Sequence, residues 1–79
     1  MTLKGYSFKF VKANQEADTS KIGVLLGRYC IMNDIPVSAI AETFDVSRMT
    51  VYQWFIGASN PHRKKAEKIK ELLDRAVSK

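Results

Sequence analysis

Few side chains in this sequence could do covalent chemistry. His62 is the only histidine and Cys30 the only cysteine among 79 residues. Neither a two-histidine metal pair nor a zinc site of ordinary Cys and His spacing can therefore be built within the chain. No Gly-rich phosphate loop, nucleophile elbow or paired-carboxylate arrangement is recognisable, so no catalytic residue, metal or cofactor is expected. What the residues do offer is polar recognition. Arg48 carries a planar, bidentate donor and Gln53 an amide that both donates and accepts. Beyond them His62, Arg63, Lys64 and Lys65 open a basic run.

Composition narrows the frame for these groups. A chain this short has room for one core, and 46% apolar residues with 27% charged describe a globular domain rather than a disordered one. Thirteen Lys and Arg against eight Asp and Glu give +5 and a pI near 9.6, which favours a polyanionic partner. The surplus is C-terminal: residues 61–79 hold seven bases and three acids. The longest apolar stretches fall far short of the ~20 residues of a membrane helix. The opening MTLKGYSFKF has neither the apolar block nor the cleavage site of a secretory signal. A cytoplasmic location away from membranes is the expectation.

Periodicity supplies the elements. Tyr6, Phe8 and Phe10 alternate with Ser7 and Lys9, the period-two pattern of a short strand or arm. A polar loop ending in Asp18, Thr19 and Ser20 leads into a helix over 20–33, with Ile22, Leu25, Leu26, Tyr29 and Cys30 as its apolar stripe. Within it Gly23 and Gly27 read as a site of close helix packing, and Cys30 as a buried, inert thiol. A two-turn helix follows Pro36, with Val37, Ile40, Ala41 and Phe44 inward. After a break at Asp45 and Val46, Ser47 caps a third helix running to about Ile56, and Gly57 ends it. Asn60 and Pro61 open a last helix, whose Ala66, Ile69, Leu72, Leu73, Ala76 and Val77 form a second stripe. The expected fold class is mainly α: a small bundle of about four helices with a short N-terminal β-strand.

Residues 37–57, VSAIAETFDVSRMTVYQWFIG, set two short helices across a tight turn, with the small Ala41 where they would touch. Apolar residues Ile40, Phe44, Val46, Val51 and Trp54 would lock their angle. This resembles a helix-turn-helix, and more narrowly the phage Cro and repressor family. In that family Leu-Ala, Gly-Val-Ser, Val, Trp and Gly recur at the spacing seen here in IAETFDVSRMTVYQWFIG. Two features depart from the pattern: Asp45 stands where the family usually has Gly, at a position that often takes positive φ, and there is an N-terminal aromatic strand but no fifth helix. The resemblance covers residues 20–77. It divides the chain into an N-terminal strand, arm and loop over 1–19 and a DNA-binding domain over 20–79.

A helix-turn-helix reads double-stranded DNA by laying its second helix in the major groove. The residues expected to face base edges are Arg48, Met49, Thr50 and Gln53. Arg48 suits guanine O6 and N7, Gln53 adenine N6 and N7, and Met49 a thymine methyl. Ser38, Ser47, Tyr52 and Asn60 would meet phosphates at the rim, as would His62, Arg63, Lys64 and Lys65 near the recognition helix. The implied protein is a transcriptional regulator, a repressor in the cytoplasm or nucleoid of a bacterial or phage-infected cell, which occupies an operator and blocks or recruits RNA polymerase. Two copies on a pseudo-palindrome, with recognition helices ~34 Å apart, could join through the Tyr6, Phe8 and Phe10 strand. Two other readings stay open. One is an interaction protein that binds polymerase or a nucleoid protein through Tyr6, Phe8, Phe10, Tyr52 and Phe55. The other is an architectural DNA binder without sequence preference, using Lys4, Lys9 and Lys12 as an arm.

Overall fold

The chain enters a helix at Phe8, because Ser7, itself extended, turns its hydroxyl onto the Phe10 N–H at 3.2 Å and caps it. The computed structural model describes residues 6–77, with side chains as far as residue 76. Lys4 of the expected arm and the Val77 side chain of the expected last stripe lie outside the described residues. Among these residues five helices follow in order: α1 (Phe8–Glu16), α2 (Ile22–Met32), α3 (Val37–Phe44), α4 (Arg48–Phe55) and α5 (Arg63–Val77). The architecture is a small, mainly helical bundle with one helix more than expected.

That extra helix, α1, replaces the strand. A strand would put Tyr6, Phe8 and Phe10 on one face, whereas Tyr6 is buried, Phe10 half-buried and Phe8 64% exposed. Tyr6, Phe10, Val11 and Asn14 follow the helical period instead, and five alternating residues are too few to separate the two patterns. Among the described residues there is no strand, so the dimer expected through it has no strand edge there. Lys9 and Lys12 sit on a helix docked against the bundle, not on an arm.

Residues 6–16 share the core of the rest. The Tyr6 hydroxyl donates to the Ile35 carbonyl at 2.6 Å, and its ring stacks on Phe10 at 5.9 Å. Asn14, a buried polar residue, donates its amide to the Phe55 carbonyl at 2.6 Å and to the Val24 carbonyl at 3.2 Å. One side chain thus ties α1 to α2 and to the end of α4.

At the centre is α2, which packs on α1, α4 and α5. Its sequence IGVLLGRYCIM is apolar nearly all round, the pattern of a helix enclosed by others. The expected stripe is partly corrected here. Leu26 and Cys30 are buried, but Leu25 is 39% exposed, and the face against α4 is the glycine face. A Cβ at Gly27 would come within 2.8 Å of the Phe55 side chain, and one at Gly23 within 2.7 Å of the Trp54 carbonyl oxygen. The two glycines therefore set how closely α2 and α4 approach.

Turns, not only packing, fix α3 and α4. Past α3, Asp45 takes the left-handed conformation (φ 56°). The Asp45 N–H reaches the Glu42 carbonyl at 3.3 Å, and the Val46 N–H reaches the Ala41 carbonyl at 3.0 Å. These are the two bonds of a Schellman motif. Gly57 does the same for α4 at φ 80°, with the Ala58 N–H on the Gln53 carbonyl at 2.9 Å. Lys21 then donates to the Gly57 carbonyl at 2.9 Å. Glycine occupies this backbone region without the steric cost that a Cβ incurs, although it also has more freedom to lose on folding. Asp45→Gly should therefore stabilise the domain by a net ~0.5–1 kcal/mol, raising the thermal midpoint by roughly 3–6 °C. Circular dichroism melting checks this.

The last helix starts at Arg63, two residues later than Pro61 suggests. Pro61 is buried, and the His62 carbonyl takes the first helical bond from the Ala66 N–H at 2.8 Å. On α5 Ile69 is fully buried, while Ala66, Leu72, Leu73 and Ala76 are only half-covered.

Candidate nucleic-acid interface

The residues that lock α3 against α4 are those whose spacing suggested it. Ile40, Ala41, Phe44, Val51 and Trp54 belong to one buried cluster, with Val46 half-buried against it. The Phe44 and Trp54 rings meet edge to face at 6.1 Å. α4 opens at a capped end, where Ser47 Oγ accepts the Thr50 N–H at 3.1 Å and lies 2.9 Å from Thr50 Oγ1. Both hydroxyls are engaged in this cap. Thr50, expected at base edges, is half-buried and turned toward the helix start.

The outer face of α4 is a single stripe. At about 100° per residue, Arg48, Tyr52, Ile56, Met49 and Gln53 fall within an arc of roughly 140°, with Val51 and Trp54 on the opposite side and Phe55 just beyond the Arg48 edge of the arc, at the other end of the helix. Burial agrees with the wheel. Arg48 and Gln53 are exposed, Met49 is 67% exposed, Tyr52 and Ile56 are 37% exposed each, and Val51 and Phe55 are 0% exposed. Tyr52 also leans its ring on Phe10 edge-on at 5.0 Å, which steadies its outward position. Ile56 is a member of this stripe that sequence reasoning left out, because it stood at the helix end; its eight-residue offset from Arg48 was the available signal.

Positive charge collects beside the turn. Lys64, Lys65 and Lys68 of α5 line a cleft of about 320 Å³ with Thr43, Phe44 and Asp45. Lys68 thus joins Lys64 and Lys65, the two lysines expected at phosphates. Arg63 turns toward Glu67 at 3.9 Å, both well exposed. Asn60 and His62 are exposed in the connection before α5. Ser38 is exposed at the other end of α3, which starts without a side-chain cap. Six residues along α3 amount to ~9 Å, so Ser38 and the lysine cleft bracket that helix rather than form one site.

Other candidate groups belong to the interior. Of the five aromatics offered for protein binding, Tyr6 and Phe55 are 2% and 0% exposed, so they form core, not surface. Phe10 is half-buried between Tyr6, Tyr52 and Phe55. Cys30 is buried in α2, and that burial pushes its thiol up to about 12, away from the reactive thiolate. The Tyr6 phenol is likewise raised, first by burial. Asp18 Oδ1 takes the Ser20 N–H at 2.9 Å, and hydrogen bonding from Ser20 lowers its carboxyl below the ordinary value. Among the described residues no helix is long and apolar enough to cross a membrane.

Comparison with protein-family models, curated proteins and solved structures finds no match. Function must therefore be argued from the side chains that this fold exposes.

Proposed function

We propose that this chain is a sequence-specific double-stranded DNA-binding transcriptional regulator, a repressor in kind, which uses α3 and α4 as a helix-turn-helix and inserts α4 in the major groove. The observation that carries the reading is the outer stripe of α4. Two fork-like polar groups, Arg48 and Gln53, flank the exposed Met49 on a short, capped helix held by a three-residue turn. A helix ~10–12 Å across matches a major groove ~12 Å wide. Arg48 and Gln53 are separated by ~7.5 Å along the axis, about two base steps of ~3.4 Å. They would thus read base pairs two steps apart, Arg48 a guanine and Gln53 an adenine, with Met49 against a thymine methyl.

The phosphate contacts would bracket α3, next to the reading helix. Lys64 and Lys65, joined by Lys68, supply charge on one side, and Ser38 with the uncapped start of α3 supplies hydrogen-bond donors on the other. Asn60, His62 and Arg63 add to the same rim. Ser47 and Thr50 contribute by capping α4. A protein working this way acts at the nucleoid, and by occupying an operator it excludes or engages polymerase.

Selection from a randomised duplex pool tests the reading directly. The expected result is an enriched motif bound ~1,000-fold more tightly than scrambled DNA at physiological salt. Binding without enrichment and with steep salt dependence would replace it with an architectural role. Negligible DNA binding would turn attention to a protein partner on Phe8, Tyr52 and their surroundings.

A further inference from the structure

We propose that α1, which lies outside the helix-turn-helix, supplies one wall of the DNA interface: Phe10 is a positioning residue for Tyr52, and Lys9 beside it holds a phosphate. The inference rests on the DNA reading and adds to it a helix that the family resemblance, over residues 20–77, does not reach.

Three contacts fix how α1 lies along α4. Phe10 meets Tyr52 edge to face at 5.0 Å and Phe55 at 6.3 Å. Asn14 reaches the Phe55 carbonyl at 2.6 Å. Ala17 lies beside Gly57, where an added Cβ would stand 3.9 Å from the Ala17 Cβ. Residue numbers rise together along both segments, so α1 runs in the direction of α4 and its first turn stands level with Tyr52. Phe55 and Tyr52 flank the Arg48 edge of the outer stripe, so that edge is the one that α1 borders. The far flank of α1 belongs to α2, where Val11 and Gln15 line a small cleft with Arg28, Ile31 and Met32.

Helical geometry then sorts the charges of α1. At about 100° per residue, Lys9 and Val11 fall on opposite sides of Phe10, and with Val11 on α2 the Lys9 flank is the one along the reading face. Lys12 is turned about 160° from Phe10 and points away from the bundle. Both lysines are exposed. Glu16 shares the Lys9 flank but sits ~10 Å further along the axis, level with the end of α4 rather than with Tyr52. With α4 in the major groove, phosphates run along both groove edges, and a cation beside the Arg48 edge faces one of them. Phe10 is itself held, since Tyr6 stacks on it at 5.9 Å and is anchored to the Ile35 carbonyl at 2.6 Å. A Tyr52 ring fixed in this way loses less freedom when DNA binds.

Fluorescence anisotropy with the selected duplex and a mixed-sequence duplex, at two salt concentrations, is the experiment, with circular dichroism confirming that each variant is folded. Lys9→Ala should weaken both duplexes alike, ~3–10-fold, and reduce the salt slope by about one. Lys12→Ala removes the same charge from the same helix and should leave both affinities within ~2-fold of the parent, because its charge is screened from the DNA. Phe10→Leu should weaken the selected duplex ~5-fold. That loss should vanish when Tyr52 is already alanine, which a merely structural role for Phe10 would not produce. Lys9→Ala and Lys12→Ala acting alike, or a Phe10→Leu loss that persists in the Tyr52→Ala chain, overturns the proposal while the DNA reading stands. A parent chain that binds neither duplex removes the reading and this inference together.

Discussion

Arg48→Glu should lower affinity for the selected duplex at least ~100-fold, the largest effect of any single exposed substitution. Removing a bidentate contact to guanine costs ~1–3 kcal/mol of discrimination, and a carboxylate at the same position adds repulsion from the base edge and nearby phosphates. Folding should not suffer. Arg48 is exposed at the first position of α4, which has no acidic residue in its first turn, and an acid there complements the helix dipole. A melting midpoint equal to or above that of the parent, with DNA binding lost, would separate recognition from stability. Gln53→Ala should relax preference at one base pair, whereas Lys64→Ala should weaken all duplexes alike and reduce the salt slope by about one. If Arg48→Glu bound the selected duplex as the parent does, α4 would not be the reading helix.

Asn14 is the position where a small change should damage the fold most. Its amide holds the last carbonyl of α4, Phe55, at 2.6 Å while also reaching Val24. Asn14→Ala orphans a buried acceptor and leaves a gap, a loss of ~2–3 kcal/mol or roughly 10–20 °C in thermal midpoint. Asn14→Asp keeps the volume but replaces the donor with an acceptor facing carbonyl oxygens. Burial and those neighbours favour its protonated form, which can donate again, so the introduced carboxyl titrates at a higher pH folded than unfolded. The folded state then binds the extra proton, so stability is retained at acid pH and lost as pH rises through the folded value. Chemical denaturation of N14D at pH 4 and pH 7 should show the less stable protein at pH 7. The reverse order would mean that the hydrogen bonds of Asn14 contribute little.

Both predictions depend on how much the residue pattern discloses. α3 was legible to the residue and α4 to within one at its end, since Val37, Ile40, Ala41 and Phe44 repeat at helical spacing, Ser47 is a strong cap, and Gly57 a strong stop. Arg48, Met49, Tyr52 and Gln53 were legible with them, because a short helix with Val51 and Trp54 inward leaves those positions outward. α1 was not legible as a helix. Tyr6, Phe8 and Phe10 fit either period, and which applies depends on what covers Phe8; it stays 64% exposed, while Tyr6 reaches the Ile35 carbonyl and Phe10 reaches Tyr52.

Local chemistry along the chain determined the helices after α1, the Ser47 cap and the turn at Asp45, because caps, φ preferences and side-chain periodicity act within a few residues. Tertiary structure alone decided three things. It chose α4 as the helix that meets the glycine face of α2, since Gly23 and Gly27 mark a close contact without saying which segment fills it. It brought Lys68 to the cleft beside Thr43 and Asp45, more than twenty residues away along the chain. It also left Leu25 uncovered across from Leu73, because α5 meets α2 along a line narrower than its own apolar face. Each depends on where distant segments come to rest, and that is settled by packing the whole core at once.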